Sequence, residues 1–162
     1  MNKTKPIILL LVLFSCLSLL TNCSAPMIVS HRKEYKILKE TPIVIQISNY
    51  DNLNAEAILR NELLKNGFHV LSVNELNNHS RRNTRGKNPN IYYPSTILLR
   101  VKYNVWINYS TFNYFNVEIV DVYTKDIITV IDFNQNVGNS FFAASPQSVV
   151  KKFVDNLKAL VE

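Results

Sequence analysis

The chain has 162 residues, 18 Lys and Arg against 12 Asp and Glu, and 47% hydrophobic residues, which suits one domain of ordinary size with enough apolar content for a core. Both cysteines, Cys16 and Cys23, fall in the first 23 positions, so the body of the chain has no disulfide, Cys-ligated zinc or Cys nucleophile. Three glycines leave no glycine-rich phosphate loop, and the net charge of +6, which falls to +4 if a signal carrying Lys3 and Lys5 is removed, does not by itself argue for nucleic acid.

The amino terminus reads as a secretory signal: Lys3 and Lys5 form a basic tip, and the apolar run from Ile7 to Leu20 is too short to span a bilayer, which takes ~20 residues. Leu20-Thr21-Asn22-Cys23 resembles the lipobox of bacterial lipoproteins, in which the cysteine becomes the lipidated first residue of the mature chain. Leu13-Phe14-Ser15-Cys16 competes, with a smaller residue before its cysteine. Lipidation at Cys23 removes residues 1–22 and leaves 140, with 16 basic against 12 acidic residues once Lys3 and Lys5 are gone. Ser24-Ala25-Pro26 follows without an Asp, and the resemblance then implies an outer-membrane lipoprotein facing the periplasm.

Residues 23–41 are expected as the lipidated cysteine and its tether, with Arg32, Lys33, Lys36 and Lys39 near anionic headgroups. The competing reading is a solvated linker, or an edge strand through Tyr35 to Leu38. The domain proper is expected over 42–162. Pro42 to Ser48 is a β-branched run that reads as a buried strand. Asp51 or Asn52 offers a cap, and Ala55, Ile58, Leu59 and Leu63 repeat at helical spacing up to Asn66-Gly67, where glycine suits the left-handed stop. Phe68 to Val73 follows as a strand, completing a βαβ unit with parallel strands. Residues 74–94 form one long irregular segment, with a short helix around Asn74 to Asn78 and the basic residues Arg81, Arg82, Arg85 and Lys87.

From Thr96 the period changes to two. Ile97, Leu99, Val101, Tyr103, Val105 and Ile107 share one face, and Arg100, Lys102, Asn104 and Asn108 take the other. A turn near Tyr109 leads to a partner strand through Phe115, Val117 and Ile119, and Tyr123 to Asp126 turns into a third member, Ile127 to Phe133. Ser145 then caps and Pro146 opens a final helix whose apolar stripe runs from Val149 to Val161. The expected fold is α+β: a βαβ unit, an antiparallel three-strand meander and a C-terminal helix, with a mixed sheet and helices packed on one face.

Chemistry is sparse. The histidines His31, His69 and His79 have no zinc-hydrolase spacing, and no Gly-x-Ser-x-Gly elbow occurs. Glu118 and Asp132 share the polar phase of their strands, as a carboxylate pair for acid–base work requires, but two solvated acids on a wet face near Arg100 and Lys102 are the preferred reading. No metal, cofactor or catalytic residue is expected. Trp106, Tyr109, Phe112 and Tyr114 form a candidate aromatic surface for a sugar or a protein partner, or a cover for the second face of the sheet. The basic loop Arg81 to Lys87 is suited to phosphate or carboxylate groups, or is simply solvated.

The order of elements, with Leu63-Leu64-Lys65-Asn66-Gly67-Phe68-His69-Val70, the strands Ile43 to Ile47 and Ile97 to Val101, and the hairpin Val117 to Asp126, resembles small envelope lipoproteins of the LpoB, CsgG and TolB-amino-terminal fold group. Lys125 stands where that hairpin carries Gly. The resemblance implies a non-enzymatic accessory or activator of cell-envelope assembly that binds an envelope protein, as penicillin-binding-protein activators do. A glycan or lipid-headgroup binding module is the second class, and a hydrolase the third. The expected partners are the bacterial membrane, through the lipid, and an envelope protein; nucleic acid is not expected.

Overall fold

The computed structural model describes residues 27–48, 50–76, 84–85, 90–105, 111–134 and 144–162. The strands are β1 (Met27–His31), β2 (Ile43–Ile47), β3 (Val70–Leu71), β4 (Thr84–Arg85), β5 (Tyr92–Tyr93), β6 (Ile97–Val105), β7 (Phe112–Asp121) and β8 (Ile127–Asn134). The helices are α1 (Ala55–Lys65), α2 (Val73–Leu76) and α3 (Pro146–Leu160). Six strands form one mixed sheet in the order β1-β8-β7-β6-β2-β3, and β4 pairs with β5 apart from it. β2 runs parallel to both β3 and β6, as a βαβ crossover requires, and β6, β7 and β8 are the antiparallel meander. The fold class is thus the expected α+β sheet.

Local chemistry explains the helix ends. Asn66, Gly67 and Phe68 close α1: the Phe68 N–H donates to the Leu63 carbonyl (3.1 Å) and the Gly67 N–H to that of Leu64 (3.0 Å), with Gly67 at φ 78°. This double bond pattern needs a left-handed residue, and Phe68 packs into the core just after it. At the other end the Asp51 carboxylate accepts from the N–H groups of Ala55 (2.6 Å) and Glu56 (3.0 Å). Ser145 caps α3 by accepting from the Ser148 N–H (3.2 Å), with Pro146 in the first turn.

Ile97, Leu99, Val101 and Tyr103 of β6, Phe115, Val117 and Ile119 of β7, and Ile131 and Phe133 of β8 all face α1 and α3. Val149, Val150, Phe153, Val154 and Leu157 complete the core from α3, each worth about 1.5 to 3 kcal/mol when fully buried. The Phe115 and Phe153 rings meet edge to face at 6.1 Å.

The expected tether is corrected by the structure, because residues 27–41 belong to the domain. β1 pairs antiparallel with β8 along its whole length, and Tyr35 and Ile37 are buried at 4% and 1% exposure. Tyr35 bridges to Tyr92, and Ile37 bridges to Val161 beside the end of α3. The folded body therefore begins by Met27 and not at residue 42. The second strand of the βαβ unit is also shorter than expected, two residues instead of six, and the short helix starts at Val73.

Candidate functional site

One face of the sheet is covered by α1 and α3. On the other, Val44, Leu71 and Val120 are buried near the β3 side, while the half toward the ends of β6 and β8 is polar and open. Strand register assembles a continuous polar array there. Arg100 lies opposite Glu118, Lys102 opposite Asn116, and Asn116 opposite Asp132. Arg100 Nη1 donates to Glu118 Oε2 at 2.9 Å and Lys102 Nζ to Glu118 Oε1 at 3.3 Å, so one carboxylate is shared by two cations. The Glu118 side chain is 17% exposed, whereas Arg100 and Lys102 remain 39% and 47% exposed. Burial by itself would raise the Glu118 carboxyl, but the hydrogen bonds and charge of Lys102 and Arg100 outweigh it and hold the carboxyl below the usual range.

Beside this triad, the Asn116 amide donates to Asp132 Oδ1, and the Tyr114 hydroxyl stands 3.5 Å from the same oxygen. Burial and then the Asp132 charge push the Tyr114 phenol up. Glu118 and Asp132 are diagonal neighbours, each held by its own donors, not an acid pair aimed at one point. The face offers an alternation of cation, carboxylate and amide. Such an array fits a surface of complementary polarity.

A second cluster lies at the opposite end of the strands. The Tyr35 hydroxyl donates to Asp126 Oδ2 at 2.6 Å, and Arg32 sits 5.3 Å over the Tyr35 ring while pairing with Glu34 at 2.6 Å. The hydrogen bond from Tyr35, followed by the one from Thr124 and the Arg32 charge, holds the Asp126 carboxyl low. His31 Nε2 donates to the Tyr35 carbonyl (3.1 Å), and Nδ1 shares a hydrogen bond with the Thr129 hydroxyl at 2.7 Å. Lys36 forms an ion pair with Glu162. These bonds lock the 31–37 segment onto the 121–126 turn and the end of α3. An open pocket of about 310 Å³ remains between His31, Lys36 and Leu160, and a smaller one of about 140 Å³ between Lys39, Phe68 and Lys158.

The residues singled out in the sequence divide sharply. Cys23, Trp106, Tyr109, Arg81, Arg82 and Lys87 lie outside the described residues. Arg85 is in β4, its backbone paired with Tyr92 of β5. Tyr114 is on the open face as expected. Phe112 is not: it is 0% exposed and packs between Tyr103 (5.1 Å) and Phe115 (5.0 Å) in the core. A bulge causes this, since the register shifts between Asn104 and Val105 and places Val105 opposite Phe112, which reverses the alternation. The expected aromatic surface therefore loses that ring. The sequence offered an edge strand through Tyr35 to Leu38 as the alternative to a tether, but the pairing of Tyr35 with Asp126, 91 positions later, has no local signal. Among the described residues no group of three His, Cys, Asp or Glu side chains is arranged to hold a metal ion, and no helix is long and apolar enough to cross a membrane.

No protein-family model and no curated protein sequence matches the chain. Among solved structures it is similar to PelC dodecamers from Paraburkholderia phytofirmans. A methionine variant of PelC is 13% identical, with 83% of this chain and 99% of that chain covered and a TM-score of 0.46. A second PelC structure is 13% identical, with 77% and 97% covered and a TM-score of 0.42. At this level the likeness carries nothing into the functional reading.

Proposed function

We propose that the protein is a lipid-anchored, periplasm-facing, non-enzymatic accessory of the bacterial envelope that binds another envelope protein through the open face of its sheet. The observation that carries this reading is the Arg100–Glu118–Lys102 triad: two half-exposed cations fixed by one largely buried carboxylate on the open face of the sheet. Cations held in place lose little side-chain freedom on docking and still have donors to offer, which favours a partner of complementary charge. Attachment through Cys23, an outer-membrane position and the absence of turnover belong to the same proposal. They rest on the lipobox resemblance and on carboxylates engaged by their own donors.

A photo-crosslinking residue in place of Lys102, in intact envelopes, tests the reading. One reproducible protein partner is expected, and it should be missing when the same residue replaces exposed Lys151 on α3. Equal capture from both positions, or none from either, would contradict it. Glycan or lipid-headgroup binding by the same face is the second reading, supported by Tyr114 beside Asn116 and Asp132. Burial of Phe112 removes a stacking ring that a glycan site would use, so the protein partner is preferred. Retention on purified peptidoglycan or lipopolysaccharide, abolished by Tyr114→Ala, would reverse that preference.

A further inference from the structure

Among the described residues β1 closes the sheet on one side and β3 on the other. β3 is two residues long, so it offers little backbone to a new strand. β1 is five residues long, pairs with β8 without a register shift, and holds no Asp, Glu, Lys, Arg or Pro. Edge strands commonly carry such residues, or a bulge, because these prevent pairing with a further chain. One edge of this sheet is therefore cut short, and the other is long and lacks every blunting device.

Register decides which backbone groups face outward. The Arg32 N–H donates to the Ile128 carbonyl at 2.9 Å. Hydrogen-bonded pairs alternate along an antiparallel ladder, so Ser30 and Ile28 also turn their N–H and C=O groups to β8, opposite Val130 and Asp132. Met27, Val29 and His31 turn theirs away from the sheet. Ile28 and Val29 are 68% and 37% exposed, so apolar surface is open along the same strand. A strand that fits this edge is extended, uncharged and partly apolar, with its own donors and acceptors on alternate residues. β1 itself meets all of these conditions. Two copies set antiparallel about a two-fold axis between their Val29 residues place Met27 opposite His31 of the second copy, Val29 opposite its twin and Ile28 opposite Ser30. Every outward-facing residue then meets an outward-facing residue, in an isologous contact that closes on itself.

We infer that β1 is a self-pairing edge: two copies of the chain join β1 to β1 antiparallel, and their six-stranded sheets become one continuous sheet. This pairing goes beyond the proposed docking of an envelope protein and does not depend on it. It has a consequence for the open face. Ile28 stands in one row with Asp132, Asn116 and Lys102, and Ser30 in the next with Val130, Glu118 and Arg100. The two-fold axis is perpendicular to the sheet, so both open faces lie on the same side, and the first row of one copy runs on into the second row of the other. The two Arg100–Glu118–Lys102 triads then belong to a single surface. One strand pair is a small contact, below the ~1,200 Å² of stable complexes, so the dimer exchanges with monomer and is best captured covalently.

Cysteine pairs report this register. Positions 28 and 30 of the two copies are directly opposite, with Cα atoms about 4.5 Å apart, within disulfide range, whereas position 28 and its twin are diagonal at about 7 to 8 Å, beyond it. Full-length chains carrying Ile28→Cys and Ser30→Cys are produced together and oxidised in intact cells, and the linked residues are located by mass spectrometry, which separates them from any bridge through Cys16 or Cys23. Tyr123→Cys, at a turn and 58% exposed, is the control. A 28–30 link is expected several-fold above the 28–28 and 30–30 links and above any link from position 123. It should be lost when both chains also carry Val29→Pro, which deletes an outward N–H and leaves the ladder to β8 intact. Val29→Lys, which sets like charges opposite each other, should give the same loss and serves if proline disturbs folding. Equal yields of the three links, no 28–30 link above the control, or a 28–30 link that survives either substitution in a folded chain would overturn the self-pairing edge.

Discussion

Replacing Asp51 by alanine should cost the domain about 2 to 4 kcal/mol. Two effects add. The carboxylate is the side-chain cap of α1, through Ala55 and Glu56, and losing such a cap costs about 1 kcal/mol. It also accepts the hydroxyl of Tyr103 at 2.8 Å, and losing this hydrogen bond to a charged acceptor, with the Tyr50 carbonyl at 3.4 Å left as a weaker one, costs a further ~1 to 3 kcal/mol. Urea unfolding of the single variants and of Asp51→Ala with Tyr103→Phe measures both, and a coupling of at least about 0.5 kcal/mol is expected between neighbours of this kind. The same contact predicts an alkaline transition. Burial first, and the hydrogen bond to Asp51 second, push the Tyr103 phenol up to about 12. A pKa raised in the folded state gives stability that is whole below about pH 10 and is lost as pH rises through about 12, roughly 2 to 3 kcal/mol for this phenol. Tyr103→Phe should remove that component from the pH dependence. Additive effects in the cycle, with an unchanged alkaline profile, would refute the reasoning.

Lys125 holds φ 67° without being glycine, and Lys125→Gly should stabilise the protein by about 0.5 to 1 kcal/mol in the same unfolding assay; a loss of stability would be wrong for a strained turn. NMR titration should find the Glu118 carboxyl below the model-compound range, and neutralising Arg100 and Lys102 together should move it up. The sign for stability follows from a depressed pKa: the contribution is present at neutral pH and is lost as the medium is acidified through the folded-state value. Phe112→Ala should cost about 3 to 5 kcal/mol, since the ring is core. A surface stacking residue would lose almost nothing on the same change.

Much of this fold can be read from local chemistry. Ser145-Pro146 ahead of the stripe Val149 to Leu157, and Asn66-Gly67-Phe68 after Leu63, each name a helix end by a mechanism that acts within a few residues. Period two from Ile97 to Tyr103 likewise survives intact, because that strand is paired on both sides. Two features were not legible for a common reason. β1 is a five-residue edge strand whose partner lies about 100 positions later, and no local pattern encodes such a pairing. The fate of Phe112 depends on a bulge at the start of β7, and one extra residue inverts which side chains face the core. On the candidate site, residues with a local phase were placed correctly, among them Tyr114, Arg100 and Glu118. The sharing of Glu118 between two cations needed the strand register, which the sequence leaves open.

The central claim is that the open face of the sheet, held by Glu118, is where a partner docks. Photo-crosslinking from position 102 in envelopes, repeated with Glu118→Gln, tests it most directly. The account predicts one reproducible protein adduct that weakens several-fold when Glu118 no longer fixes Arg100 and Lys102, in a chain that remains folded. An adduct of the same yield with and without the carboxylate, or one formed equally from the helical side of the domain, would contradict it.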